Sequence, residues 1–333
     1  MENGGDKRTN NLGLNLFVSK KYIINTLFSI HVEKHIYFRI SQVDEIEKLS
    51  ELIKFLRTNG IFIRPTHVNG LFKKILEEAS NRWVDIEGIY FEFIKKIVTT
   101  NPNYSGVDID EINNELNNIV EELKRYLNEI NLKIPYTHAM RYVKQFNSEI
   151  LPEDLISTNS EKLETETIYF LNFNYTDSLR KVLFYKKEQN PVVNYIHGEL
   201  NKEEQLIFGF GDEMDKVYKE LEMLNDNRYL KHIKSFMYFK NIKYRHLLRF
   251  LESSEYQVCI YGHSCGLSDR VMLNQIFEHK NCVSIKIYFH EYENGDTDFI
   301  NKTMEISRHF KNNQEMRGKI VEFDSINKIP QMK

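Results

Sequence analysis

Apolar positions along this chain keep two rhythms, and the change falls near residue 165. From about Ser41 to Ser148 they recur three and four apart, as in Ile46, Leu49, Ile53, Phe55 and Leu56, in Ile112, Leu116, Ile119, Leu123 and Leu127, and in Met140, Tyr142, Val143 and Phe146. That period places the apolar side chains on one face of each helix, so the segment reads as an all-α block. Its charge runs, such as Glu121-Glu122-Leu123-Lys124-Arg125, read as solvated helix faces with pairs three and four apart. Downstream, short apolar runs alternate with helical stretches. Strands are expected at 168–171, 192–196, 206–208, 257–261, 283–289 and 319–323. Helices are expected at 177–186, across 214–252 with a break near Asn225 to Asn227, at 268–279 and at 297–311. Strands alternating with helices predict an α/β fold with a mostly parallel, doubly wound sheet, and the helical block is then a large all-α insertion.

Composition narrows the setting. The chain has 333 residues, of which 41% are hydrophobic, so it can bury a large core, and no apolar run approaches the roughly 20 residues of a membrane span. Its net charge of -3 gives no reason to expect nucleic acid or an acidic membrane as partner. The opening Met1-Glu2-Asn3-Gly4-Gly5-Asp6 lacks the basic and apolar regions of a secretory signal. Three cysteines, Cys259, Cys265 and Cys282, without C-x-x-C spacing, fit reduced thiols, so a cytoplasmic location is expected. Cys259, mid-strand, reads as a small core residue. No metal-ligand spacing such as H-E-x-x-H is present, and neither a metal nor a permanent cofactor is expected.

The candidate chemistry lies where strands end. Val258-Cys259-Ile260-Tyr261 runs into Gly262-His263-Ser264-Cys265-Gly266-Leu267-Ser268-Asp269, a buried strand, a glycine turn and a helix start with a serine N-cap. Strand 168–171 ends in Asn172-Phe173-Asn174-Tyr175-Thr176-Asp177, strand 192–196 in His197-Gly198, and strand 206–208 in Gly209-Phe210-Gly211-Asp212-Glu213. In a parallel sheet these ends share one edge, so Asn174, His197, Gly209 and Ser264 should converge on one pocket. The last turn has two readings. As G-x-S-x-G it matches the nucleophile elbow of serine hydrolases; as a strand-to-helix turn it offers backbone N–H groups to a nucleotide phosphate. A hydrolase needs an acid and a histidine after the serine. Fewer than about 70 residues follow Ser264, leaving Asp296 or Asp298 with His309 for those roles.

Taken in order, Leu171 to Thr176, Tyr195-Ile196-His197-Gly198, Ile207 to Glu213 and Tyr261 to Asp269 resemble the bacteriophage abortive infection family AbiH, over roughly residues 80–325. Trp83-Val84-Asp85-Ile86-Glu87 looks like a tryptophan-aspartate-glutamate stretch of that family, and it equally fits a core anchor followed by acids at a helix start. The family usually opens on an apolar strand and a glycine-asparagine-glycine-phenylalanine-aspartate turn. Here Asn3-Gly4-Gly5-Asp6 and Leu12-Gly13-Leu14 stand at that place without a strand pattern before them.

The resemblance implies a role in antiphage abortive infection and a Rossmann-like core similar to sirtuin-like NAD-cleaving domains, built from residues 1–40 and 163–325, with 41–162 as the helical insertion and 326–333 as a tail. NAD is implied as substrate or ligand. By that likeness Asn174 orients water or a ribose hydroxyl and His197 is the base, while Thr176, Gly209, Gly211, Gly262, His263, Ser264 and Asp269 contact the nucleotide. Thr176 stands where those sites carry an acid, with Asp177 one position off. A phage-derived trigger and a homo-oligomer are expected partners, and a non-catalytic nucleotide-sensing module is the remaining alternative.

Overall fold

The computed structural model describes residue 71 and residues 84–100, 108–129, 134–156, 167–185, 191–200, 202 and 204–330. The expected helix containing Ile46 to Leu56, the Asn3 to Asp6 turn, the Leu12 to Leu14 stretch and Trp83 lie outside the described residues. The chain divides into two compact units, one of residues 1–130 with 220–231 and one of 131–219 with 232–333.

In the first unit the helical period forms helices. Helix α1 runs Val84–Thr100 and α2 runs Ile109–Glu129, the latter opening on Asp110 and Glu111, whose charges suit a helix N-terminus. Ile86, Ile89, Tyr90 and Ile94 of α1 and Ile112, Leu116, Ile119, Leu123 and Leu127 of α2 are buried. One polar chain is satisfied inside this core: Tyr90 Oη donates to Asn113 Oδ1 at 2.8 Å, and Asn113 Nδ2 donates to the Arg228 carbonyl at 2.9 Å. Glu87, one of the acids singled out in the sequence, is buried in α1.

The second unit is a mixture of helices and short parallel strands. Helix α3 (Tyr136–Phe146) precedes strand β1 (Tyr169–Asn172), helix α4 (Ser178–Leu183) and strand β2 (Val192–Tyr195). The region 214–252, of which residues 220–231 belong to the first unit, is split into α5 (Lys216–Met223), α6 (Lys234–Met237) and α7 (Lys243–Ser253), with short 3-10 turns between. Strand β3 (Tyr256–Tyr261), helix α8 (Arg270–Phe277), strand β4 (Cys282–Tyr288), helix α9 (Phe299–Ser307) and helix α10 (Asn313–Lys319) follow. β1 pairs in parallel with β2, and β3 with β4. Each pair needs a crossover, which is why a helix stands between its strands.

The β3–β4 pair shows the period of two at work. Val258 and Ile260 register with Ile285 and Ile287 on the face that enters the main core, beside Met272, Leu273, Ile276 and Phe277 of α8. The opposite face carries Gln257, Cys259 and Tyr261 against Ser284, Lys286 and Tyr288. It is polar and internally paired: Lys286 Nζ lies 2.9 Å from Asp154 Oδ2, Gln257 Nε2 donates to Ser284 Oγ at 2.9 Å, and the rings of Tyr261 and Tyr288 stack at 3.9 Å. Cys259 belongs to this face and is exposed, not a core residue as its mid-strand position suggests.

Sequence periodicity overstates three elements. Leu206-Ile207-Phe208 is buried but forms no strand; its Ile207 N–H is spent on the His197 carbonyl at 2.8 Å, and the Ile207 carbonyl accepts from Tyr175 Oη at 2.9 Å. The expected strand 319–323 is reduced to a single bridge, Ile320 with Ile285, because α10 continues through Lys319, whose amine donates to the Phe277 and His279 carbonyls. The helix expected from residue 268 starts as a 3-10 turn, Leu267–Asp269, before α8. Two two-stranded pairs are therefore the sheet content among the described residues.

Candidate functional site

The site forms in the second unit from segments that follow strands. After β1, the Asn172 side chain accepts the Asn174 N–H at 3.0 Å and turns the chain, leaving Phe173 half-buried, Asn174 exposed and Tyr175 buried. The Phe173 ring packs on both His197 (5.4 Å between centroids) and His263 (4.2 Å), so the segments after β1, β2 and β3 meet at this ring. The segment 209–211 joins them by backbone contacts. Phe210 N donates to the His232 carbonyl at 3.1 Å, Lys234 N to the Phe210 carbonyl at 2.9 Å, and Val271 N to the Gly211 carbonyl at 2.9 Å. Only glycine fits at 209, because a Cβ there would stand 1.9 Å from the His232 carbonyl oxygen.

Asp269 is the hub. Its carboxylate is buried, and its Oδ1 accepts from Lys234 Nζ at 2.8 Å and lies 3.2 Å from His197 Nε2, while Oδ2 lies 3.5 Å from His263 Nε2. Burial would raise its pKa, but the Lys234 ammonium and the two imidazoles hold it well below the ordinary carboxylate range. His197 is 1% exposed, and Tyr238 Oη lies 3.2 Å from its Nε2. Burial and then the Lys234 charge lower its pKa, against the pull of Asp269. The ring is therefore neutral near pH 7. With Nε2 facing the carboxylate, the proton sits on Nε2, and Nδ1 is a buried lone pair with no hydrogen-bond partner among the described residues.

His263 is the opposite case. Burial is the largest effect and lowers its pKa, but the Asp269 carboxylate and the Cys265 side chain together outweigh it and push it up to about 9. The Cys265 N–H points at its Nδ1 at 3.0 Å and opposes the charge, so the cation must release that bond. Its carbonyl accepts from Lys302 Nζ at 3.0 Å. A second ion pair lies alongside, Arg270 Nη1 with Asp212 Oδ2 at 3.0 Å.

Of the residues expected to act together, His197 and His263 gather around the Asp269 carboxylate, and Gly209 and Gly211 form the backbone wall joined to it. Gly262 sits at a φ of +64° with open space where a side chain would be, and Ser264 is exposed. Thr176 Oγ1 lies 2.8 Å from Ser178 Oγ. The Asn174 side chain is on the surface beside Phe173. Ser268, expected as an N-cap, is buried with its hydroxyl unpartnered among the described residues, and the carboxylate of Asp269 turns away from the helix start to Lys234. Lys234 and Tyr238 had no signal in the sequence, because both sit in a helical stretch where a lysine reads as surface and a tyrosine as packing.

The base expected for the hydrolase reading is engaged elsewhere. His309 is buried with Nε2 2.7 Å from the Cys265 carbonyl oxygen, so it donates there, and Asp298 accepts the His290 N–H at 2.7 Å and pairs with Lys302. Neither approaches Ser264 by hydrogen bond. Among the described residues no group of three or more His, Cys, Asp and Glu could hold a metal ion, and no helix is long and apolar enough to cross a membrane. A family model described as bacteriophage abortive infection AbiH matches residues 28–291. No curated protein and no solved structure matches the chain.

Proposed function

The chain belongs to the bacteriophage abortive infection AbiH family, whose name carries a role in antiphage defence, and from that premise we propose that it acts by binding NAD or a related nucleotide and cleaving its glycosidic bond in a Rossmann-like, sirtuin-like site. The observation that carries this reading is His197: a buried imidazole whose Nε2 lies 3.2 Å from a buried carboxylate oxygen and whose Nδ1 has no hydrogen-bond partner among the described residues. A positioned histidine of this kind contributes about 10²–10⁴ in rate as a general base.

The chemistry is balanced as a hydrolysis. Water oxygen bonds to the ribose C1′ as the bond to nicotinamide nitrogen breaks; the electron pair of that bond stays on nicotinamide, which leaves neutral, and the water proton passes to His197 Nδ1. Asn174 orients the water or a ribose hydroxyl. The exposed turn at Gly262 and Ser264, with Thr176 and the cationic His263, holds the nucleotide oxygens, and Gly209 and Gly211 bring the backbone close. The Phe173 and Tyr175 rings pack against His197, at 5.4 Å and 6.2 Å between centroids, so on this reading the segment after β1 shifts to admit a ligand. A phage-derived trigger would act by favouring that shift.

The test is to incubate the pure protein with NAD, with and without extract of infected cells, and to assay free nicotinamide. Nicotinamide released by the wild type and not by His197→Ala supports the reading. Saturable NAD binding with no nicotinamide under either condition replaces it with a nucleotide-sensing module.

A further inference from the structure

We infer that Lys234 is the positioning residue of the site: by sharing Asp269 Oδ1 with His197 it keeps the imidazole neutral and its free lone pair on Nδ1. The inference rests on the reading of His197 as the base. Its own footing is geometric. Lys234 Nζ and His197 Nε2 approach the same carboxylate oxygen, at 2.8 Å and 3.2 Å, and all three side chains are buried. A buried Asp–His pair left to itself draws a second proton onto the ring, because an imidazolium beside a carboxylate is favoured over a neutral ring beside an uncompensated charge. A fixed ammonium on the same oxygen removes that demand. Asp269 then needs from His197 one N–H and no positive charge.

The remaining groups around His197 do not substitute for it. Tyr238 offers a hydroxyl at 3.2 Å, Phe173 and Tyr175 offer rings, and His263 reaches the other carboxylate oxygen at 3.5 Å, where it can lose its proton as pH rises. Lys234 is held in place independently of its side chain, since its N–H is bound to the Phe210 carbonyl and its helix begins there. The 209–211 segment therefore sets the position of the ammonium as well as its own backbone wall.

The deciding measurement uses the full chain without substrate: ¹⁵N-histidine labelling, with the His197 resonances identified by their loss in His197→Gln, followed over pH in the wild type, Lys234→Gln and Lys234→Arg. The expected wild-type result is a neutral ring at pH 7, protonated at Nε2 and bare at Nδ1. Lys234→Gln keeps a donor to Asp269 but removes the charge, and should move the His197 titration upward by about one unit or more; Lys234→Arg should restore the wild-type curve. In the NAD assay the acid limb of the rate profile should move with it, so that activity lost in Lys234→Gln near neutrality returns at higher pH. A wild-type His197 that is cationic or carries its proton on Nδ1 at pH 7 overturns the inference without any variant, as does an unchanged titration in Lys234→Gln. Absence of nicotinamide release would count against NAD as the substrate, whereas the resonance titration decides the role of Lys234 either way.

Discussion

At the scale of single residues, three groups around one carboxylate set opposing pH dependences. Asp269 has a folded pKa below its unfolded one, so its contribution to stability is complete above about pH 4 and lost as pH falls through the folded value. His197 is also depressed, so the unfolded chain takes up its proton first and stability falls as pH drops below about 6.5. His263 is raised to about 9, so its contribution is whole below about pH 6.5 and disappears as pH rises toward 9. The melting temperature should therefore peak near pH 6.5, and His263→Gln should flatten the alkaline side while leaving the acid side in place; an alkaline slope equal in the two proteins would contradict the assignment. Asn174 differs because it is exposed. Asn174→Ala should change unfolding free energy by no more than about 0.5 kcal/mol, yet remove nicotinamide release, with circular dichroism melts and the NAD assay as the two readouts.

At the scale of elements, the polar face of the β3–β4 pair depends on one buried charge pair. Asp154 Oδ2 accepts from Lys286 Nζ, Gln257 Nε2 and the Leu151 N–H, so it fastens the 152–154 turn to the strands. Asp154→Ala leaves Lys286 buried without its anion and should cost about 3–5 kcal/mol in urea unfolding. The double change Asp154→Ala with Lys286→Met should cost less than the sum of the single changes, since it leaves no orphaned charge. Glycines give a sharper contrast. Gly209→Ala drives a Cβ into the His232 carbonyl and should break the Phe210–Ile233 bridge, whereas Gly262→Ala meets open space and pays only for its left-handed φ, about 1–2 kcal/mol. Denaturant midpoints that rank Gly262→Ala below Gly209→Ala would reverse this.

At the scale of the whole molecule, the expected outcome is loss of phage protection when the base is removed from an otherwise intact chain. Plaque counts on cells carrying His197→Ala should match cells without the protein, at equal protein level by blotting. The wild-type protein should not be labelled at Ser264 by a fluorophosphonate, because His309, the base expected for that serine, is committed to the Cys265 carbonyl. Labelling at Ser264 that protects cells when present and fails them when mutated would move the chemistry to the glycine turn.

Sequence alone determined the α/β alternation, the helical character of residues 84–100, 109–129 and 136–146, the order of the strand-end motifs and the family they resemble, because periods of two and 3.6 and the glycines at strand ends are local properties of the chain. It pointed to His197, His263 and Asp269 as separate candidates. Only the tertiary structure decided that one carboxylate joins them. The same holds for Lys234, 35 residues from Asp269 and in a helical stretch, whose burial depends on the backbone bridge between 209–211 and 232–234. It also decided that 206–208 and 319–323 do not become strands, since a buried apolar run becomes a strand only where a neighbour supplies a full ladder of hydrogen bonds; here the Ile207 N–H meets the His197 carbonyl, the Val321 N–H meets the Ile285 carbonyl, and the Ile320 N–H turns back to the Met316 carbonyl of its own helix.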